Sequence, residues 1–151
     1  MEIKVANCKD KRLENLSRNA LKYFTKELIT NTRIRNNCSV TLDYTKDVRE
    51  EGLYDGDCGI VSCNTRKKPR KFFIRVYPYA RVNDLHYLGV IAHETVHMKQ
   101  FAYDELDDDL TRWKSRKVNI ERVRYEDCPW EIEANRLQDE LVVAFLNSLN
   151  E

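Results

Sequence analysis

Hydrophobic residues near the start of the chain recur at helical intervals: Leu13, Leu16, Ala20, Phe24 and Leu28 are three or four positions apart. That spacing puts them on one side of a helix, so an amphipathic N-terminal helix is expected from Asp10 to Ile29. The period then changes. CSVTLDY (38–44) and CGIVSC (58–63) are short and β-branched, and KFFIRVYPY (71–79) alternates until Pro78 stops it, which predicts three strands. NTRKKPRK, between the second and third, has the polarity of a hairpin loop. A second helical stripe of Leu85, Leu88, Ala92 and Val96 follows Asn83 or Asp84 as cap. RWKSRKVNIERVRY (112–125) alternates only weakly. The last stripe aligns Trp130, Ala134, Leu137, Leu141, Phe145 and Ser148 in a helix from about Trp130 to Leu149, with Pro129 suited to its first turn. Helix, strands, helix, connecting segment and helix make an α+β fold, with a small, mostly antiparallel sheet.

Composition narrows the reading without naming a chemistry. The 151 residues suffice for one hydrophobic core and are short for two, so residues 1–151 are expected to form a single domain. Lys+Arg 26 against Asp+Glu 25 leaves no overall field to draw the protein to nucleic acid or to an anionic membrane. The longest apolar run, Leu141 to Leu146, is far below the roughly 20 residues that span a bilayer. MEIKVANCKD lacks the apolar core of a secretory signal. A cytoplasmic protein with no membrane partner is expected. Cys8, Cys38, Cys58, Cys63 and Cys128 are odd in number and form no CxxC, so free thiols are expected, not a disulfide framework or a cysteine zinc knuckle.

The informative stretch is IAHETVHMKQ (91–100). His93 and His97 are one turn apart on the second helix, about 40° around and roughly 6 Å along, so their imidazoles can converge on one ion. Leu85, Leu88, Ala92 and Val96 fall on another side, so the helix can pack with one face and present its histidines with a second. Gly89, one turn before His93, keeps that second face open, and His86, about 10 Å before His93 along the axis, is too far to share the ion. Glu94 stands about 100° from His93, beside the ion and not aimed at it, where a carboxylate can take a proton from an activated water. This is the HExxH pattern.

Catalytic zinc takes three protein ligands and keeps one position for water, so a third donor must come from elsewhere. PWEIEAN offers Glu131 and Glu133 on the last helix. With Trp130 at 0°, the expected apolar stripe centres near 10°, Glu133 falls at about −60° and Glu131 at about +100°. Glu133, nearer the buried side, is the expected ligand, with Glu131 as a partner to a histidine nitrogen.

HETVHMKQF followed some thirty residues later by YEDCPWEIEAN resembles the small HExxH metallopeptidases of phage and bacterial genomes, the minimal gluzincin type. The likeness runs from about Phe72 to Leu149. It implies a zincin-like fold and a zinc-dependent endopeptidase acting on a protein or peptide. By the resemblance His93, His97 and Glu133 hold Zn2+, Glu94 is the base, and the strand before the HExxH helix forms the edge of the cleft. The SprT-like proteases are a more distant likeness, since their third histidine soon after HExxH has no counterpart after His97.

Two further roles complete this expectation. Tyr125 is the candidate donor to the oxyanion formed when a peptide carbonyl is attacked. An extended substrate is expected to add as a strand to Phe72, Phe73, Ile74, Arg75, Val76 and Tyr77, which supplies main-chain hydrogen bonds without dictating sequence. The basic run at 65–71 reads first as a solvated hairpin tip and second as a phosphate-contacting loop. The alternative for the whole chain is a zinc-stabilised domain that no longer cuts and touches nucleic acid through residues 66–71. DELDDDL lacks the glycine and spaced oxygens of a calcium loop and reads as a solvated acidic turn. Trp113 and Trp130 read as packing residues.

Overall fold

The computed structural model describes residues 1–44, 59–63, 69–78 and 83–150, with the backbone alone for 59–63. Two strands and two helices open the chain: β1 (Glu2–Ala6), α1 (Lys11–Leu28), α2 (Thr32–Asn37) and β2 (Ser39–Tyr44). There follow β3 (Gly59–Cys63), β4 (Lys71–Val76), α3 (Asp84–Ala102), the two-residue strands β5 (Arg112–Trp113) and β6 (Arg116–Lys117), and α4 (Pro129–Ser148). This is a small α+β arrangement in which one sheet backs a group of helices.

The expected helices and three strands fall where the pattern put them. Asp10 caps α1 by accepting from the Arg12 and Leu13 amides, and Asn83 caps α3 by accepting from His86 N. The chain, however, opens with a strand and not with the helix. EIKVA alternates over only five residues and none is fully buried, a signal too short to separate from noise.

That missed strand changes the sheet. Its order is β1-β2-β4-β3; β1, β2 and β4 run parallel, and β3 alone is antiparallel. The expected mostly antiparallel sheet is therefore corrected to a mixed, mostly parallel one. The physical reason is the return of the chain through α1 and α2, which brings β2 alongside β1 in the same direction. In this sheet β3 and β4 are the antiparallel pair.

The topology also removes the expected substrate strand. Phe72 to Val76 lie on β4, which is bonded to β2 on one side and β3 on the other, so its backbone groups are already engaged. Phe72, Ile74 and Val76 are buried in the core, while Phe73 and Arg75 point to the opposite face, with the guanidinium 5.7 Å from the Phe73 ring centroid. Tyr77 follows the strand. Of the basic run, residues 65–68 lie outside the described residues; Arg70 donates to the Pro69 and Ala102 carbonyls.

One sheet face carries Val40, Leu42 and Tyr44 of β2 beside Phe72, Ile74 and Val76 of β4, all buried. α1 and α3 pack against the sheet and each other, and α4 packs on α3. Phe24 of α1 and Phe145 of α4 meet edge-to-face with centroids 5.7 Å apart, and Tyr23 lies 5.6 Å from Phe145. Arg12 pairs with Asp84, tying the start of α1 to that of α3.

The connecting segment folds into a small lobe with a core of Leu106, Cys128 and Trp130, where the Trp113 and Trp130 rings are 6.4 Å apart. Lys114 and Ser115 join β5 to β6 with φ of 46° and 69°, the positive values a tight hairpin turn requires. The acidic run has a local task within this lobe. Asp107 accepts from Thr111 N, Thr111 Oγ1 and Arg112 N, which fixes the turn that leads into β5. The lobe buries Trp130 and so sets the rotation of the first turn of α4. No helix among the described residues is long and apolar enough to cross a membrane.

Candidate metal centre

α3 is buried along most of its length because the sheet, α1 and α4 surround it. Leu88, Ile91, Ala92 and Val96 pack into the core, whereas Leu85 is 56% exposed and lines a cleft instead of joining the stripe. His93 and His97 face α4. Their rings lie 4.8 Å apart, and the two Nε2 atoms are separated by 3.1 Å.

The carboxylate that meets them is Glu131. Its Oε2 lies 3.2 Å from His93 Nε2 and its Oε1 3.2 Å from His97 Nε2. Among the described residues, His93, His97 and Glu131 form the one group of three or more potential ligands close enough to hold a single ion. The ligand set expected from the sequence is thereby corrected in its third member.

Helix rotation explains the exchange. The residues of α4 that are buried are Trp130, Glu131, Ala134, Leu141, Val142 and Phe145. On a helical wheel with Trp130 at 0° these centre near +60°, because the lobe and α3 cover more of one flank than the apolar residues alone suggest. Glu131 then falls about 40° from the buried centre and Glu133 about 120° from it. Glu133 turns toward the lobe, where its oxygens lie 3.2 Å from both Lys99 Nζ and Lys114 Nζ and accept from Gln100 Nε2 at 3.0 Å.

Two glutamines that the sequence reading missed orient the imidazoles. Gln138 Oε1 lies 3.0 Å from His93 Nδ1, and Gln100 Oε1 lies 2.8 Å from His97 Nδ1. Gln100 is fully buried, and its amide orientation is set by donation to the Trp130 carbonyl at 3.1 Å and to Glu133. Its oxygen must therefore accept from His97 Nδ1–H, which leaves the Nε2 lone pair free. The signals were position-based: Gln100 is one turn after His97, and Gln138 is two turns after Glu131 on the same face.

The donor set fits a small divalent ion. With both Nδ1 atoms protonated, two nitrogen lone pairs and a carboxylate point at one another, which is repulsive unless a cation or proton lies between them. Ligands about 2.0–2.1 Å from a tetrahedral zinc ion are about 3.3 Å from each other. Here the two Nε2 atoms are 3.1 Å apart and each lies 3.2 Å from a different oxygen of Glu131, with one ligand atom from each residue within 4.8 Å of the others.

A proton on His97 Nε2 relieves the same repulsion. Burial works to raise the Glu131 carboxyl, but hydrogen bonds from His93 and His97, the His97 charge and a hydrogen bond with Tyr125 overcome it and hold the group down at about 2. Burial likewise disfavours charge on His97. The Glu131 hydrogen bond, the charges of Glu94 and Glu131 and the Gln100 contact outweigh it and raise the imidazole above its usual value.

A cleft of about 550 Å³ opens beside these groups, lined by His93, Glu94, Glu131, Tyr125, Gly89 and Leu85 among others. Glu94 is 7% exposed and borders the cleft next to His93. Tyr125 is 67% exposed, so it is not the core aromatic that such a residue usually is. A Cβ added at Gly89 would meet nothing within 4 Å, in keeping with an open wall there. His86 lines the cleft without joining the three-residue group. No family model, curated protein or solved structure matches the chain.

Proposed function

We propose that the protein is a zinc-dependent endopeptidase. One observation carries this reading: two imidazole nitrogens and the Glu131 carboxylate converge at ion-binding distance on the wall of an open cleft, with Glu94 beside them. His93, His97 and Glu131 would hold the ion, and the fourth position would face the cleft. The chemistry a zinc ion supplies in such a site is polarisation of a water and of a substrate carbonyl.

The chain's own residues do the rest. Glu94 accepts the proton of the attacking water at its carboxylate and passes it to the departing amine nitrogen. Tyr125, exposed enough to turn away from Glu131, donates its hydroxyl hydrogen to the carbonyl oxygen as charge develops there. Gln100 and Gln138 hold the imidazoles in one tautomer and one orientation. β3 takes the part expected of β4: it has no strand on its outer side among the described residues, and it packs against α3. An extended peptide would add there.

The test is Glu94→Gln in zinc-loaded protein incubated with an unfolded protein substrate. The variant should keep its zinc and lose cleavage by at least about a hundredfold. Undiminished cleavage would refute Glu94 as base. Tyr125→Phe should lower kcat by about tenfold to a thousandfold with zinc content unchanged.

A further inference from the structure

A second cavity, of about 410 Å³, lies on the far side of α1, and its walls are basic. Arg18, Lys22 and Lys26 are at i, i+4 and i+8 on α1 and face it together; Arg35 of α2 closes it, and Met1, Ile3 and Asn36 complete the lining among the described residues. Among the described residues no carboxylate lines it. The nearest counter-charge is Glu14, which accepts from Arg18 Nη2 at 3.1 Å.

Such an arrangement opposes folding. Like charges one turn apart repel by a few tenths of a kcal/mol per pair, and three of these cations are stacked on one helix face. The helix dipole favours Lys26 in the last turn of α1 but reaches no further than that turn, so it accounts for neither Lys22 nor Arg18. The two arginines are moreover fixed in place. Arg18 Nη1 donates to the Ile3 carbonyl at 2.7 Å, and Arg35 Nη1 donates to the Ile29 carbonyl at 2.9 Å. The neutral carbonyls leave the charge of Arg35 uncancelled, whereas that of Arg18 is shared with Glu14. Lys22 and Lys26 are exposed and have no ion-pair partner among the described residues.

We infer that this cavity holds the phosphate backbone of a nucleic-acid strand. The cations do not converge as they would around one phosphate. They succeed one another at about 6 Å along the helix, over about 12 Å from Arg18 to Lys26. That spacing suits successive phosphates of an extended strand. Among the described residues no aromatic ring lines the cavity to stack a base, so recognition is of the backbone and independent of sequence. This site is distinct from the 66–71 run and does not depend on the metal-centre reading.

Fluorescence anisotropy of a labelled oligo-dT on the full chain tests it, with Lys22→Ala/Lys26→Ala as the variant and Arg136→Ala, an exposed cation of α4, as the control. Wild type should bind with log affinity falling against log salt at a slope of about −2 to −3. The double variant should bind about tenfold more weakly at low salt, with a slope shallower by about 1.4, one single-strand phosphate contact per lysine. Arg136→Ala should match wild type in binding, and the double variant should melt no lower than wild type, since it relieves the repulsion along α1. No binding by wild type, or equal weakening by the control, overturns the inference. So does tripolyphosphate or poly-glutamate binding as tightly as the oligonucleotide, since either would show a generic anion site.

Discussion

Gln100 Oε1 lies 2.8 Å from His97 Nδ1, while the same side chain donates to the Trp130 carbonyl and to Glu133. One fully buried amide thus joins the HExxH helix to the first turn of α4, the turn that carries Glu131. The link fixes both the tautomer of one proposed ligand and the placement of another. Gln100→Ala is expected to weaken zinc binding by about tenfold to a hundredfold, read by competition with a chromogenic chelator. It should also destabilise the metal-free protein by about 1–3 kcal/mol, because the Trp130 carbonyl and Glu133 lose a buried donor.

Acid should loosen the Glu133 junction in a defined direction. Burial works to raise this carboxyl, but the Gln100 hydrogen bond and the Lys99 and Lys114 ammonium groups lower it below the ordinary value. A group with a depressed folded pKa stabilises fully above its unfolded value, about 4.3 for Glu, and that contribution is lost as pH falls through the folded one. Glu133→Gln should therefore be less stable than wild type at pH 7, and the gap in urea midpoint should narrow below about pH 4. A gap that widens on acidification would contradict the ion-pair account.

What the chain reveals of itself depends on how local each determinant is. The stripe of α1 and the cap at Asn83 or Asp84 are properties of neighbouring residues, and they could be read directly. The HExxH pair needs only one helix turn to bring His93 and His97 together. Glu131 was different: its orientation depends on the lobe formed by Leu106, Cys128 and Trp130, which is assembled from residues distant in the chain. A rotation of about 50° in the buried stripe was enough to exchange the roles expected for Glu131 and Glu133. The position of β4 inside the sheet depended likewise on β1, whose five residues carry almost no pattern of their own.

Phe145 offers a test of the fold separate from the chemistry. It is 2% exposed and packs against Phe24 and Tyr23, joining α4 to α1 some distance from the cleft. Phe145→Ala should cost about 3–5 kcal/mol in denaturant unfolding. Zinc content at low temperature, where the variant is still folded, should match wild type.

The central claim concerns which glutamate completes the site, and elemental analysis of exhaustively dialysed protein addresses it most directly. Wild type should retain one zinc per chain, Glu131→Gln and His97→Ala should retain almost none, and Glu133→Gln should retain wild-type content. Zinc kept by Glu131→Gln but lost from Glu133→Gln, or absent from wild type after loading, would contradict the proposed centre.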